Sequence, residues 1–311
     1  MFSSLTSYFL DPFIQIPTFG FIAVVLLGLL VGSFLNVVIH RVPKMLETQW
    51  ASDVADYNRQ ASVDSTASLV GQAVTTDPIA EQPDRYQRYN LMTPPSACPN
   101  CKHKIKSWEN IPVVSWLFLR GKCSACSIKI SPRYPFIELL TGLLAGAAAW
   151  HFGPSVQLFA ALILTFALVS LTWIDLDTQL LPDNMTLPLL WIGLLFNLHS
   201  TFVPLSHAVV GAVAGYLILW SIYWAFKLVT GKEGMGYGDF KLLAALGAWF
   251  GWSALPMIIL LSSVVGLVAA LGLMAFKGHQ RSEPIPFGPY LAGAGMLVLY
   301  FRAPLGRVIG F

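Results

Sequence analysis

Charge is what this 311-residue chain has least of: Asp, Glu, Lys and Arg make up 11% of it, where a soluble globular domain carries roughly a quarter. With 55% hydrophobic residues and a mean hydropathy of +0.63, a water-borne globular protein is excluded. A surplus of either sign is missing too. Nineteen Lys and Arg stand against 16 Asp and Glu, and a net charge of +3 is too small for a nucleic-acid partner. The six histidines, His40, His103, His151, His199, His207 and His279, are scattered without ligand spacing, so none joins a metal or catalytic set. A Gly-rich strand and turn of the nucleotide-binding kind is also lacking.

Long uncharged runs are what the chain does have. They extend from Pro12 to His40, Leu139 to Ile174, Asn184 to Phe226, Leu242 to Phe276 and Pro284 to Phe301. One membrane span needs roughly 20 residues, so the runs divide into one, two, two, two and one. Turns inside the doubled runs fall at His151-Phe152-Gly153-Pro154, between His199 and Ser206, and between Gly251 and Pro256, where breakers and polar residues gather. The expected fold is an all-α polytopic membrane protein of about eight transmembrane helices. The sixth, starting near Phe240, has only about 17 residues at its disposal.

Asp11 precedes the first run while Arg41 and Lys44 follow it, the reverse of a cleavable signal, so this span reads as an uncleaved anchor. Lys and Arg collect on the cytoplasmic side, which puts the N-terminus outside and residue 41 inside. Segments 41–133, 175–183, 227–239 and roughly 277–286 are then cytoplasmic. Twelve of the 19 basic residues lie in the first of these, with Lys227, Lys232, Lys277 and Arg281 in later ones. The predicted outside loops carry none; Arg302 and Arg307 go against the rule.

Three units follow: an N-terminal segment and first helix at 1–40, a cytoplasmic insert with a small metal-held module at 41–133, and a membrane domain of about seven helices at 134–311. Glu47 to Asn90 is rich in Ser, Thr, Ala, Gln and Asp without a clear apolar period, and is expected to be a mobile insert; Trp50, Val54, Tyr57 and Val70 leave a helical hairpin as the other reading. All four cysteines follow. Cys98 and Cys101, then Cys123 and Cys126, form two C-x2-C knuckles separated by 21 residues, a spacing that presents four thiolates at the corners of a tetrahedron. Such a closed site predicts structural Zn2+, between helices 1 and 2. Two disulfides are the competing reading, disfavoured by a reducing cytoplasm.

Carboxylates beside apolar spans are costly and so are candidates for function, here Glu138, Asp175, Asp177, Asp183 and Asp239. Asp175 ends an apolar run, and Leu180-Leu181-Pro182-Asp183 restarts the next, implying a short turn at the cytoplasmic boundary. Asp239 ends Gly236-Tyr237-Gly238-Asp239, whose glycines allow close backbone approach or positive φ. Asp175 and Asp239 are 64 residues apart yet share one membrane face by parity. Two carboxylates in reach of each other share a proton, one acting as base toward water and the other donating to a peptide carbonyl. Capping of helix ends, or pairing of Asp175 or Asp177 with Lys241, would be a purely structural use of the same residues.

In order along the chain, Gly32-Ser33-Phe34-Leu35-Asn36-Val37, the two knuckles, Tyr134-Pro135-Phe136-Ile137-Glu138-Leu139, Ile174-Asp175-Leu176-Asp177 with Leu181-Pro182-Asp183, and Gly236-Tyr237-Gly238-Asp239 resemble the bacterial type IV prepilin peptidases. The resemblance implies a polytopic inner-membrane aspartic peptidase that removes the leader of type IV prepilins or type II secretion pseudopilins. It also implies N-methylation of the new N-terminal residue from S-adenosylmethionine. Asp175 and Asp239 are the catalytic pair on this resemblance, supported by Gly236, Gly238, Asp177, Pro182, Asp183 and Lys241. For methyl transfer, Asn36, His40, Arg41 and Glu138 lie near the module and are the expected region, with helix bonding by Asn36 and pairing of Glu138 with Arg133 as structural alternatives. The long Glu47 to Asn90 stretch departs from the resemblance in spacing only.

Two other classes fit a polytopic chain with interfacial acids. A transporter would place carboxylates near the bilayer midplane on interrupted helices, and here only Glu138 lies inside an apolar span, near its start. A noncatalytic scaffold using the zinc module would tolerate neutral replacements at Asp175 and Asp239.

Overall fold

The computed structural model describes residues 17–69, 89–277 and 285–309. Among them it is all-helical, with two isolated β-bridges, Ala97 to Lys104 and Lys122 to Lys129. The helices are α1 (Pro17–Leu69), α2 (Val114–Phe118), α3 (Arg133–Phe152), α4 (Val156–Thr178), α5 (Asp183–Asn197), α6 (Leu205–Thr230), α7 (Tyr237–Phe250), α8 (Leu255–Lys277) and α9 (Gly288–Ile309). The expected spans correspond to α1 and α3 to α9. Five helical stretches are long and apolar enough to cross a membrane: Thr18–Ala61, Arg133–Phe152, Val156–Thr178, Leu205–Thr230 and Trp252–Ala275. Helices α5 and α7, of 15 and 14 residues, are shorter, as is the apolar part of α9, Gly288–Phe301.

The expectation of an irregular insert after residue 47 is not met over its first half. Helix α1 runs unbroken for 53 residues, passing Pro43 and continuing to Leu69. Between Met45 and Val70 the chain has neither Gly nor Pro, and Ala, Gln, Glu and Arg favour helix even where no apolar face demands it. Trp50, Val54 and Tyr57 lie exposed on this extension; Val70 and the stretch 70–88 lie outside the described residues.

Small residues let the helices come together, which in lipid replaces the hydrophobic drive available in water. On α1, Gly28 and Gly32 face Gly142, Ala145 and Glu138 of α3 so closely that a Cβ on Gly28 would lie 2.6 Å from the Ala145 Cβ. Gly211 and Gly215 of α6 sit on the backbone of α7, with Gly211 and Gly247 in direct main-chain contact. Helix α7 is thereby the centre of the bundle: it packs on α5, α6, α8 and α9, and every residue from Leu242 through Phe250 is buried. By contrast α5 turns Leu187, Trp191 and Leu195 outward.

The two ends of the bundle differ in chemistry. At one, Phe152, Phe196, Phe202, Trp249 and Phe250 form a ring-on-ring cluster. Buried Asn197 organises that end, donating to the carbonyls of Ala248 and Trp249 and accepting from the amides of Phe202 and Val203. The other end carries the ion pairs Arg133 to Asp177, Lys241 to Asp183 and Lys227 to Glu233, together with the start of α3 and the cysteine module. This division is the one the charge parity predicts.

Candidate active site

Asp175 lies one turn before the end of α4, and Asp239 in the first turn of α7. Both are buried, at 4% and 7% exposure. Helix α4 continues past Asp175 to Thr178 before the left-handed Gln179 ends it, so the turn expected at residues 175–183 is confined to Gln179–Pro182. Pro182 then caps α5, its carbonyl accepting from the amides of Met185 and Thr186.

A few contacts bring the two acids into each other's neighbourhood. The Gly288 amide at the start of α9 donates to Oδ2 of Asp175 at 3.0 Å. Leu181 is wedged against both neighbouring glycines: a Cβ on Gly238 would lie 2.7 Å from the Leu181 Cβ, and one on Gly288 3.1 Å from its Cδ1. Asp239 is in turn near enough to Asp175 for the two charges to act on each other, with Gly236 contributing a backbone hydrogen bond to its carboxyl. The glycine motif works through close approach at Gly238; neither Gly236 nor Gly238 has a positive φ.

The remaining acids take other partners. Asp177, half-exposed, receives both arms of the Arg133 guanidinium at 2.8 and 2.6 Å, and that guanidinium lies 4.6 Å over the Trp173 ring. Lys241 bonds both oxygens of Asp183 at 2.6 and 2.7 Å. The structural alternatives for these groups therefore resolve differently from the sequence reading: Lys241 pairs with Asp183 rather than with Asp175 or Asp177, and Arg133 with Asp177 rather than with Glu138. Asp239 is not the N-cap of α7, a position held by Gly236.

Asn36, His40, Arg41 and Glu138 each meet a partner of their own. Asn36 donates to the Tyr134 carbonyl, and buried Arg41 donates to the carbonyls of Asn90 and Pro94 at 2.8 and 2.6 Å. Glu138, also buried, accepts the Val113 amide at 2.7 Å. Val113 has φ 60, an unfavourable value for a β-branched residue, and it opens α2 directly above the membrane helices. His40 lies beside Lys44, its Nε2 3.0 Å from the ammonium, among the charges of Arg41, Asp177 and Arg133.

The four cysteines meet as their spacing predicts. Their sulfurs all lie within 4.8 Å of one another, Cys98 and Cys126 at 3.8 Å and Cys101 and Cys123 at 4.0 Å. These distances rule out disulfides, and a tetrahedral ion with metal–sulfur bonds of about 2.3 Å has edges of roughly 3.8 Å. Both knuckles fold alike: the amide of Lys102 returns to the Cys98 carbonyl and that of Ser127 to the Cys123 carbonyl, each at a left-handed residue. The Ile128 amide lowers the Cys126 thiol to about 6, whereas burial and the other three thiols, against the His103 amide, push Cys101 up to about 11. Glu109 ties the knuckles to each other: the Ser124 hydroxyl, then the Lys106 amide, hold its carboxyl below the usual carboxylate range, with His103 alongside.

Gly288 is the contributor that motif reading overlooks. Pro286-Phe287-Gly288-Pro289, a breaker cluster at the start of the last apolar helix, is the signal from which it could have been found.

Residues 26–152 match the bacterial peptidase A24 N-terminal domain, and residues 162–271 match the type IV leader peptidase family. A prepilin leader peptidase/N-methyltransferase of Aeromonas salmonicida is 56% identical over 292 residues, covering 94% of both chains. The chain belongs to the type IV leader peptidase family. Proteins of the same designation from Stutzerimonas stutzeri and Pseudomonas aeruginosa are 54% and 51% identical, covering 88% and 96% of each chain. No solved structure matches the chain. Within the type IV leader peptidase match lie both Asp175 and Asp239, while the four cysteines fall in the N-terminal match.

Proposed function

We propose that the protein is a membrane-embedded aspartic endopeptidase that cleaves the leader from type IV prepilins or type II secretion pseudopilins, and that it N-methylates the residue so exposed. The observation that carries this reading is that Asp175 and Asp239, from helices α4 and α7, are both buried and near enough for their charges to interact, with Asp175 held by the Gly288 amide. One ionised carboxylate takes a proton from water as the oxygen attacks the scissile carbonyl carbon, and the protonated partner donates to the carbonyl oxygen. Collapse of the tetrahedral intermediate returns a proton to the leaving amine and reopens the carbonyl. The Gly288 amide holds one oxygen of Asp175, leaving the other for water. Replacement of either acid by Asn removes the exchange.

The setting supported by the charge division is the bacterial inner membrane, with the N-terminus periplasmic and the cysteine module cytoplasmic beside the acids. Zn2+ fits the donor set and would be held by Cys98, Cys101, Cys123 and Cys126, where it supplies a structural tie between the knuckles. S-adenosylmethionine is the donor that methylation requires. Asn36 ties α1 to α3, Arg41 ties α1 to the segment before the module, and Glu138 ties α3 to Val113; with His40 they are the region near the module where the donor would be held.

Purified Asp175→Asn and Asp239→Asn variants, assayed for leader removal with labelled methyl transfer in parallel, test the pair. Each is expected to lose cleavage by about 10³-fold or more while keeping fold and metal. Cleavage near the wild-type rate by either removes that residue from the mechanism, and tolerance at both favours a noncatalytic scaffold.

A further inference from the structure

One turn along α4 from Asp175, the bundle is open to the side. A cavity of about 140 Å³ lies between α3, α4 and α9, with Leu140 and Leu144 on one wall and Ala292, Gly293 and Met296 on the other. Its floor is α4, where Leu168, Thr172 and Asp175 follow one another at helical spacing on a single face. The wall on α9 begins at Pro289, immediately after the glycine whose amide holds Asp175. At its far end the groove is shut where the Tyr300 hydroxyl of α9 donates to the Leu144 carbonyl of α3. Gly293 is exposed and has no atom within 4 Å of where its Cβ would stand, so the wall is open there.

We propose that this groove is the lateral slot that receives the apolar, membrane-embedded flank of the substrate's scissile bond. The inference rests on the peptidase reading and specifies how that site takes its substrate. A peptide with its reacting carbonyl between Asp175 and Asp239 can continue along an apolar surface down the α4 floor, into the hydrocarbon. The lining offers it alkyl side chains, the Trp173 ring and, nearest Asp175, one threonine hydroxyl. A charged or strongly polar flank would be desolvated there without a partner, so the slot selects an apolar segment on the membrane side of the bond. Gly293 leaves the width for its side chains.

The test uses the full chain in membranes and a prepilin carrying one photoreactive residue in the first turn of its apolar segment. With the Asp239→Asn enzyme, irradiation is expected to label peptides containing Thr172 or residues 289–296. Labelling confined to α6 or α8, or to lipid alone, overturns the proposal. In the second arm, Gly293→Leu fills the groove without a steric clash and is expected to raise KM for the anchored prepilin about ten-fold. The ratio of its efficiency on that substrate to its efficiency on a short peptide ending just past the bond falls to match. Gly272→Leu on α8, equally free of neighbours, controls for added bulk. An unchanged ratio overturns the slot, and if Gly293→Leu does not fold, the labelling of the otherwise intact enzyme decides. Loss of cleavage in the aspartate variants with labelling elsewhere sinks the slot alone, whereas retained cleavage in those variants sinks the peptidase reading beneath it.

Discussion

Replacing Gly288 by alanine puts the arrangement of the acids to a sharp test. A methyl group at that position would stand 2.6 Å from Oδ2 of Asp175, 3.1 Å from the Leu181 Cδ1 and 3.2 Å from the Asp175 Cγ. The first contact is about 0.8 Å short of ordinary van der Waals separation, and the carboxylate cannot yield that distance while keeping its bond to the Gly288 amide. Overpacking of this kind costs roughly 1–3 kcal/mol. In a site where a displacement of about 1 Å costs on the order of 100-fold in rate, a 10- to 100-fold loss of leader cleavage is expected, about 1.4–2.7 kcal/mol in the barrier. The protein should remain folded, because alanine is the better helix former and the added volume is small. Cleavage of a purified prepilin, followed by gel shift over a range of enzyme concentrations, gives the rate; thermal unfolding in detergent gives the fold. Gly272→Ala, where a Cβ meets nothing within 4 Å, is the matched control. A Gly288→Ala enzyme at wild-type rate with an unchanged unfolding curve would refute the placement of Asp175 against α9 and, with it, the geometry of the pair.

Other expectations concern the supports of the site. Asn197→Leu leaves four buried backbone partners unpaired at the outer end of α5, and is expected to destabilise by about 2–4 kcal/mol, seen as a lowered Tm with residual activity at low temperature. Glu138→Leu strands the Val113 amide, and should cost about 1–3 kcal/mol while increasing protease sensitivity around residues 110–118, with Cys98 to Cys126 still binding metal. Cys98→Ser is expected to lose stoichiometric metal and to leave the knuckles open to thiol reagents; full zinc content in that variant, measured by atomic emission, would contradict the four-thiolate site.

How far the residues announced all this varied with the physics behind each feature. The apolar runs set the helix order, because hydrocarbon leaves the backbone few choices other than helix. The cysteine knuckles were readable from spacing, since their geometry is local. That Asp175 and Asp239 lie on one side followed from counting spans, yet the partners that hold Asp175 did not, because a backbone amide has no identity in the sequence and Gly288 is 113 residues away. Arg133 and Lys241 each had several acids within plausible reach, and only packing decided that Asp177 and Asp183 were theirs. The extension of α1 to Leu69 stood only as the second reading, because Trp50, Val54 and Tyr57 make a narrow apolar stripe that is exposed and buries against nothing.

The shortness of α5 has a consequence for the bilayer itself. Fifteen helical residues rise about 22 Å, against hydrocarbon roughly 30 Å thick, and Leu187, Trp191 and Leu195 place that helix against lipid. Acyl chains meeting it must shorten or splay, drawing the headgroup layer inward along this flank. On the face that carries Asp183 and Lys241, such thinning shortens the path from headgroup water to the start of α5.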